Sequence, residues 1–154
     1  MPVPDTLASL TKPLFEALPL EQAMPELVPT RTIDPNIVRL VESIVSQSEI
    51  QANPSVTAAL WLYIDEIDRS HTICQAIPGS VGSLWHAIVH RREGDFWNSK
   101  YWFRQAGTNH VLSAHSPEAF VDQVEQTYKN NPPELLERQR QEWLQLFEFS
   151  AREG

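Results

Sequence analysis

Cysteine is nearly missing from this 154-residue chain: Cys74 stands alone, so no disulfide can form within it. A lone thiol agrees with a reducing compartment, and a cytoplasmic location is expected. Positive charge is scarce too, with 12 Lys and Arg against 20 Asp and Glu and a net charge of −8. Nucleic-acid binders need a basic surface to displace phosphate counterions, and docking on an anionic membrane needs the same. The expected partners are therefore a small-molecule ligand, other proteins or a second copy of the chain, with no nucleic acid and no membrane. No apolar run reaches the length of a bilayer-spanning helix, and no basic start leads into an apolar stretch of the kind that directs secretion. Glycine is rare, five residues in all. Neither a Gly-rich phosphate loop nor a nucleophile elbow is present.

What remains is ordinary globular material, 42% hydrophobic and 21% charged, long enough for one domain with its own core. Six of the twelve prolines fall in residues 1–33. Each removes a backbone donor and restricts its predecessor, so long regular elements are not expected there. That segment reads as a proline-rich N-terminal arm draped over the body or over a partner, with a helical domain over 34–154.

Four later helix starts share one pattern, a polar residue followed by proline: Asp34-Pro35, Asn53-Pro54, Ser116-Pro117 and Asn131-Pro132. Proline suits the first helical position because its missing N–H would be unpaired anyway, and the polar side chain caps a neighbouring donor. Apolar residues then recur at helical spacing: Ile37, Val38, Val41, Ile44 and Val45 after the first; Val56, Leu60, Tyr63, Ile64 and Ile67 after the second. The third start leads to Phe120, Val121, Val124 and Tyr128, and the last to a long helix through Trp143, Leu146 and Phe147. Residues 69–77 predict a short helix before Pro78-Gly79, and residues 108–115 a loop. No stretch alternates with period two for long, and none repeats. The expected fold is all-α, a compact helical bundle.

The chain is organised around Ser83–Gly107, which holds two of five histidines, three of five tryptophans and a basic cluster. Glu93-Gly94-Asp95 predicts a tight turn, with Gly94 left-handed and Asp95 capping the next helix. Ser83–Glu93 and Phe96–Ala106 then form an antiparallel hairpin. His86, His90 and Glu93 stand at i, i+4 and i+7 and share one helix face. They are the candidate catalytic residues, supplying hydrogen bonds and acid–base chemistry. His71, Asp65, Tyr101, Arg104 and Trp85 are the candidate ligand-binding residues, Arg104 as anion partner and Tyr101 as pocket wall.

A metal at His86 and His90 is the alternative, with a further ligand from His71, Asp65 or Asp68. Against it stand Arg91, Arg92, Lys100 and Arg104, cations that would repel an ion. No cofactor is therefore expected, and protein purified without chelator is expected to carry less than about half an equivalent of zinc, manganese, iron or nickel. Cys74 reads as a small buried hydrophobe.

Two resemblances follow from these residues. Glu93-Gly94-Asp95-Phe96 with Ser99, Tyr101, Trp102, Phe103 and Ala106 resembles the turn and second helix of a single tetratricopeptide-type hairpin. The first helix departs from it, since His86 and His90 fall where that repeat places apolar residues. The whole string HAIVHRREGDFWNSKYWFR, with ALWLYIDEIDRSHTICQ before it, is similar to the signature of a family of small uncharacterised proteins. That resemblance implies one compact unit and brings no chemistry. The functional expectation is a polar pocket between the hairpin and the Trp61–Ile77 segment, binding a small anionic or polyhydroxy ligand, with catalysis left open. The alternative is an interaction or oligomerisation module built on the hairpin.

Overall fold

The computed structural model describes residues 3–153, all of them helix, turn or connection, with no strand among them. Among these residues nine α-helices follow one another: α1 Asp5–Ala17, α2 Pro35–Val45, α3 Ser48–Gln51, α4 Pro54–Tyr63, α5 Ile67–Cys74, α6 Gly79–Arg92, α7 Phe96–Gln105, α8 Pro117–Thr127 and α9 Pro133–Glu153. The all-α expectation holds.

Two of the four expected caps form as read. Asp34 accepts from the Asn36 amide at 2.8 Å and Asn53 from the Val56 amide at 3.2 Å. Ser116 and Asn131 do otherwise, taking left-handed backbone with φ of 47° and 44°. Asn131 Oδ1 instead accepts from the Leu27 amide at 2.9 Å, tying the N-terminal segment to the start of α9.

The expectation of no long element before residue 33 is corrected by α1, thirteen residues with Pro13 inside. An interior proline costs about 3 kcal/mol. Leu7 and Leu14 are buried on the inner face of α1, and burying two leucines contributes about 3–6 kcal/mol. Burial wins. The segment also packs on the body: Phe15 meets Tyr63, Trp143 and Phe147 edge-on, with ring centroids 5.3–6.1 Å apart.

Helix α4 is apolar on all sides and almost wholly buried, as a central helix must be. Around it pack α5, α6 and α9, with the Trp143 indole N–H donating to the Ala59 carbonyl at 2.9 Å. Helix α4 stops at Tyr63, four residues short of the Ile67 that the apolar spacing predicts. The cause is Asp65, which adopts φ +67°, and Arg92, whose buried guanidinium donates to the Leu62 carbonyl at 3.1 Å. The break turns the chain so that α5 runs back against α6. Gly82 gives the α5–α6 connection room to fold over the start of α6, since a Cβ there would sit 2.0 Å from the Ile77 carbonyl oxygen. At the other end of α6, Gly94 takes φ +81° and α7 returns antiparallel, completing the predicted hairpin.

Candidate metal centre

The hairpin turn and the α5–α6 crossing bring three histidines together. His71 comes from α5, and His86 and His90 from one face of α6. Each offers a nitrogen within 4.8 Å of the other two. The Nε2 atoms of His71 and His86 are 3.0 Å apart. Two nitrogens each about 2.0–2.1 Å from a tetrahedral zinc stand about 3.3–3.4 Å apart. The pair is thus within a few tenths of an ångström of ligand spacing, and the partly exposed His71 has room to turn.

The carboxylates lie behind the rings. His71 Nδ1–H donates to Glu93 Oε1 at 2.5 Å, and the opposite ring nitrogen, Nε2, faces Nε2 of His86. His90 turns Nδ1 toward Glu93 Oε2 at 3.4 Å and Asp95 Oδ2 at 3.5 Å. That nitrogen is buried and completes no hydrogen bond. Burial pushes His86 down to about 4, with help from the neighbouring His90 and His71, so its ring is neutral near pH 7. Burial also lowers His90, against the opposing pull of Glu93 and Asp95. Neutral imidazoles are the form that ligates metal.

The basic residues weighed against a metal are each neutralised elsewhere. Arg91 makes a buried two-pronged pair with Glu142 at 2.8 and 3.0 Å. Arg92 pairs with Asp65 at 2.6 Å and also donates to the Glu26 carbonyl. Lys100 meets Asp122 at 2.9 Å and Arg104 meets Glu118 at 2.8 Å. The electrostatic objection falls, and two carboxylates, Glu93 and Asp95, remain beside the imidazoles.

Of the expected site residues, His71, His86, His90 and Glu93 converge. Asp65 does not join them because it serves Arg92. Trp85 is a core residue, wholly buried, its indole N–H bonded to Ser150 Oγ at 3.0 Å. Arg104 lies exposed at its ion pair with Glu118. Tyr101 is displaced by one ring: Trp102 stacks on His86 with centroids 4.2 Å apart, and Tyr101 meets Trp102 edge-on at 5.3 Å. Asp68 lies beyond the donor sets that the cluster forms. Cys74 is buried as expected, which pushes its thiol up to about 12.

Three cavities among the described residues lie away from the expected pocket. Cavities of about 390, 300 and 240 Å³ open beside Tyr128, between the N-terminal segment and α2, and beside the α7–α8 connection, and none is lined by the cluster. The reason is that the rings themselves fill the space, with His71, His86 and His90 4.7–4.9 Å apart between centroids and Trp102 against them. Trp102 and Asp95 were not singled out as site residues. Asp95 reads as a cap, which it is, bonding the Asn98 amide at 3.3 Å; its second oxygen reaches His90 only because the turn is tight.

Comparison of the chain with protein-family models, with curated proteins and with solved structures finds no match. Function must be argued from the site.

Proposed function

We propose that this protein binds one divalent transition ion through His71, His86 and His90, with zinc the best chemical fit. The observation that carries the reading is the convergence of three imidazoles, two of them held neutral by burial, with a carboxylate at the back of His71. Carboxylate–histidine–metal triads orient ligating imidazoles in this way. A hydrogen-bonded histidine pair alone accounts for the His71–His86 contact but not for a third imidazole brought within 4.8 Å of both. The bound ion reverses the local charge and so favours the small anionic or polyhydroxy ligand expected from the sequence.

Equilibrium dialysis of chelator-stripped protein against zinc tests the reading. One equivalent is expected in the wild type and none in His86→Ala or His90→Ala whose helical circular dichroism is unchanged. Retention below about a tenth of an equivalent by the wild type, at zinc concentrations that saturate ordinary three-histidine sites, sinks it.

A second reading, an interface with another protein or another copy, draws on Trp97 and Tyr101. They stack on α7 with centroids 6.0 Å apart and are 72% and 41% exposed. Exposed adjacent aromatics are interface anchors. Light scattering across a concentration series, with Trp97→Ala as control, checks for self-association.

A further inference from the structure

Granting the metal reading above, the position of Glu93 decides what kind of centre it is. Structural zinc sites are closed by four protein ligands, whereas catalytic ones have three and leave a position for water or substrate. Glu93 is the obvious fourth ligand, yet both of its oxygens are directed at the rear of the rings. Oε1 takes the Nδ1 proton of His71, and Oε2 stands 3.4 Å from Nδ1 of His90. Nδ1 and Nε2 occupy different edges of an imidazole, and their lone pairs diverge. An ion on Nε2 of His71 is therefore several ångström from the oxygen held by Nδ1 of the same ring. Asp95 is likewise engaged, with Oδ2 accepting from the Asn98 side chain at 2.7 Å and also facing His90.

The surroundings are unequal in their access to solvent. Trp102 covers His86 by stacking, and His86 and His90 are buried. His71 and Glu93 retain side-chain exposures of 24% and 27%. The side of the cluster that meets water is the one they form. An exogenous ligand reaches the ion there without any cavity being needed.

We infer that this is an open metal centre: His71, His86 and His90 are its protein ligands, Glu93 is a positioning residue that clamps His71 from behind and faces the rear of His90, and the fourth position faces solvent beside His71, where a small anion replaces water. Water on such an ion is acidified toward neutral pH, so the centre has the composition that metal-assisted hydrolysis uses. The ligand class is a small anion, a carboxylate or an oxyanion, that coordinates through one oxygen.

Cobalt(II) substitution of the full chain, with azide as the probe anion, separates the outcomes. The expected result is one equivalent of cobalt with d–d absorption, bands that shift saturably as azide is added, and a Glu93→Gln protein that still takes one equivalent with about 10–100-fold weaker affinity. Bands indifferent to azide mean a closed centre and overturn the inference, and that measurement needs only the wild type. Complete loss of cobalt from a folded Glu93→Gln, as in His86→Ala, makes Glu93 a ligand and also overturns it. Failure of the wild type to bind any cobalt or zinc is a different result, and removes the metal reading itself.

Discussion

Helix α6 separates two polar systems that are adjacent in sequence and opposite in character. Arg91 and Arg92 leave it toward the interior, where each guanidinium has a carboxylate of its own, Glu142 and Asp65. Only their Nε atoms lack a partner. His86 and His90 leave it on the α5 side, where they meet His71 and one carboxylate does most of the holding. The arginine side is matched charge for charge and serves to pin helices. The histidine side differs by convergence: three imidazole nitrogens stand within 4.8 Å of one another, a spacing that like donors do not need for packing alone. Residue type is a poor guide here: the two arginines weighed against a metal ion are paired inside the fold.

The largest expected effect lies on the arginine side. Glu142→Ala leaves Arg91 buried and unpaired, and is expected to lower stability by about 3–5 kcal/mol; urea unfolding measures it, and a loss under about 1 kcal/mol would show that the pair is dispensable. Next comes the response to metal. Free zinc at about a hundred times its dissociation constant should add about 2.7 kcal/mol, or about 5–10 °C in Tm for a chain of this size. His90→Ala should abolish that shift while leaving the chelated protein close to wild type. An equal zinc shift in the variant would mean that the ion sits elsewhere.

A smaller effect is expected from acid, with chelator present. The His86 pKa is depressed to about 4 from an ordinary 6.5, so between those values the unfolded chain binds more protons than the folded one. The histidine's contribution is fully present above about pH 6.5 and is lost as pH falls toward 4. Wild type should therefore lose more stability between pH 7 and pH 5 than His86→Gln does; parallel slopes would contradict the burial argument. The smallest effect belongs to Arg104→Ala, whose exposed pair with Glu118 contributes less than about 0.5 kcal/mol. A large change in stability or zinc affinity there would return Arg104 to the site.

Within a helix, covalent spacing dictates neighbours, and whatever depends on that spacing alone was legible in the sequence. The proline-started helices at 35, 54 and 117, the long terminal helix and the Gly94 turn all appear where the pattern puts them. So does the shared face of His86 and His90, because residues four apart on a helix have no other choice. Tertiary structure alone decided what meets across helices. Nothing local announces the left-handed Asp65 that ends α4, since the apolar spacing runs straight through it; the turn exists because Arg92, far along the chain, takes the Leu62 carbonyl and the Asp65 carboxylate together. That turn sends α5 back along α6 and carries His71 to within 3.0 Å of His86. With twenty acids available to twelve bases, composition cannot say which arginine finds which carboxylate. The packing of α4, α6 and α9 does, and by occupying Arg91 and Arg92 it leaves the histidines free.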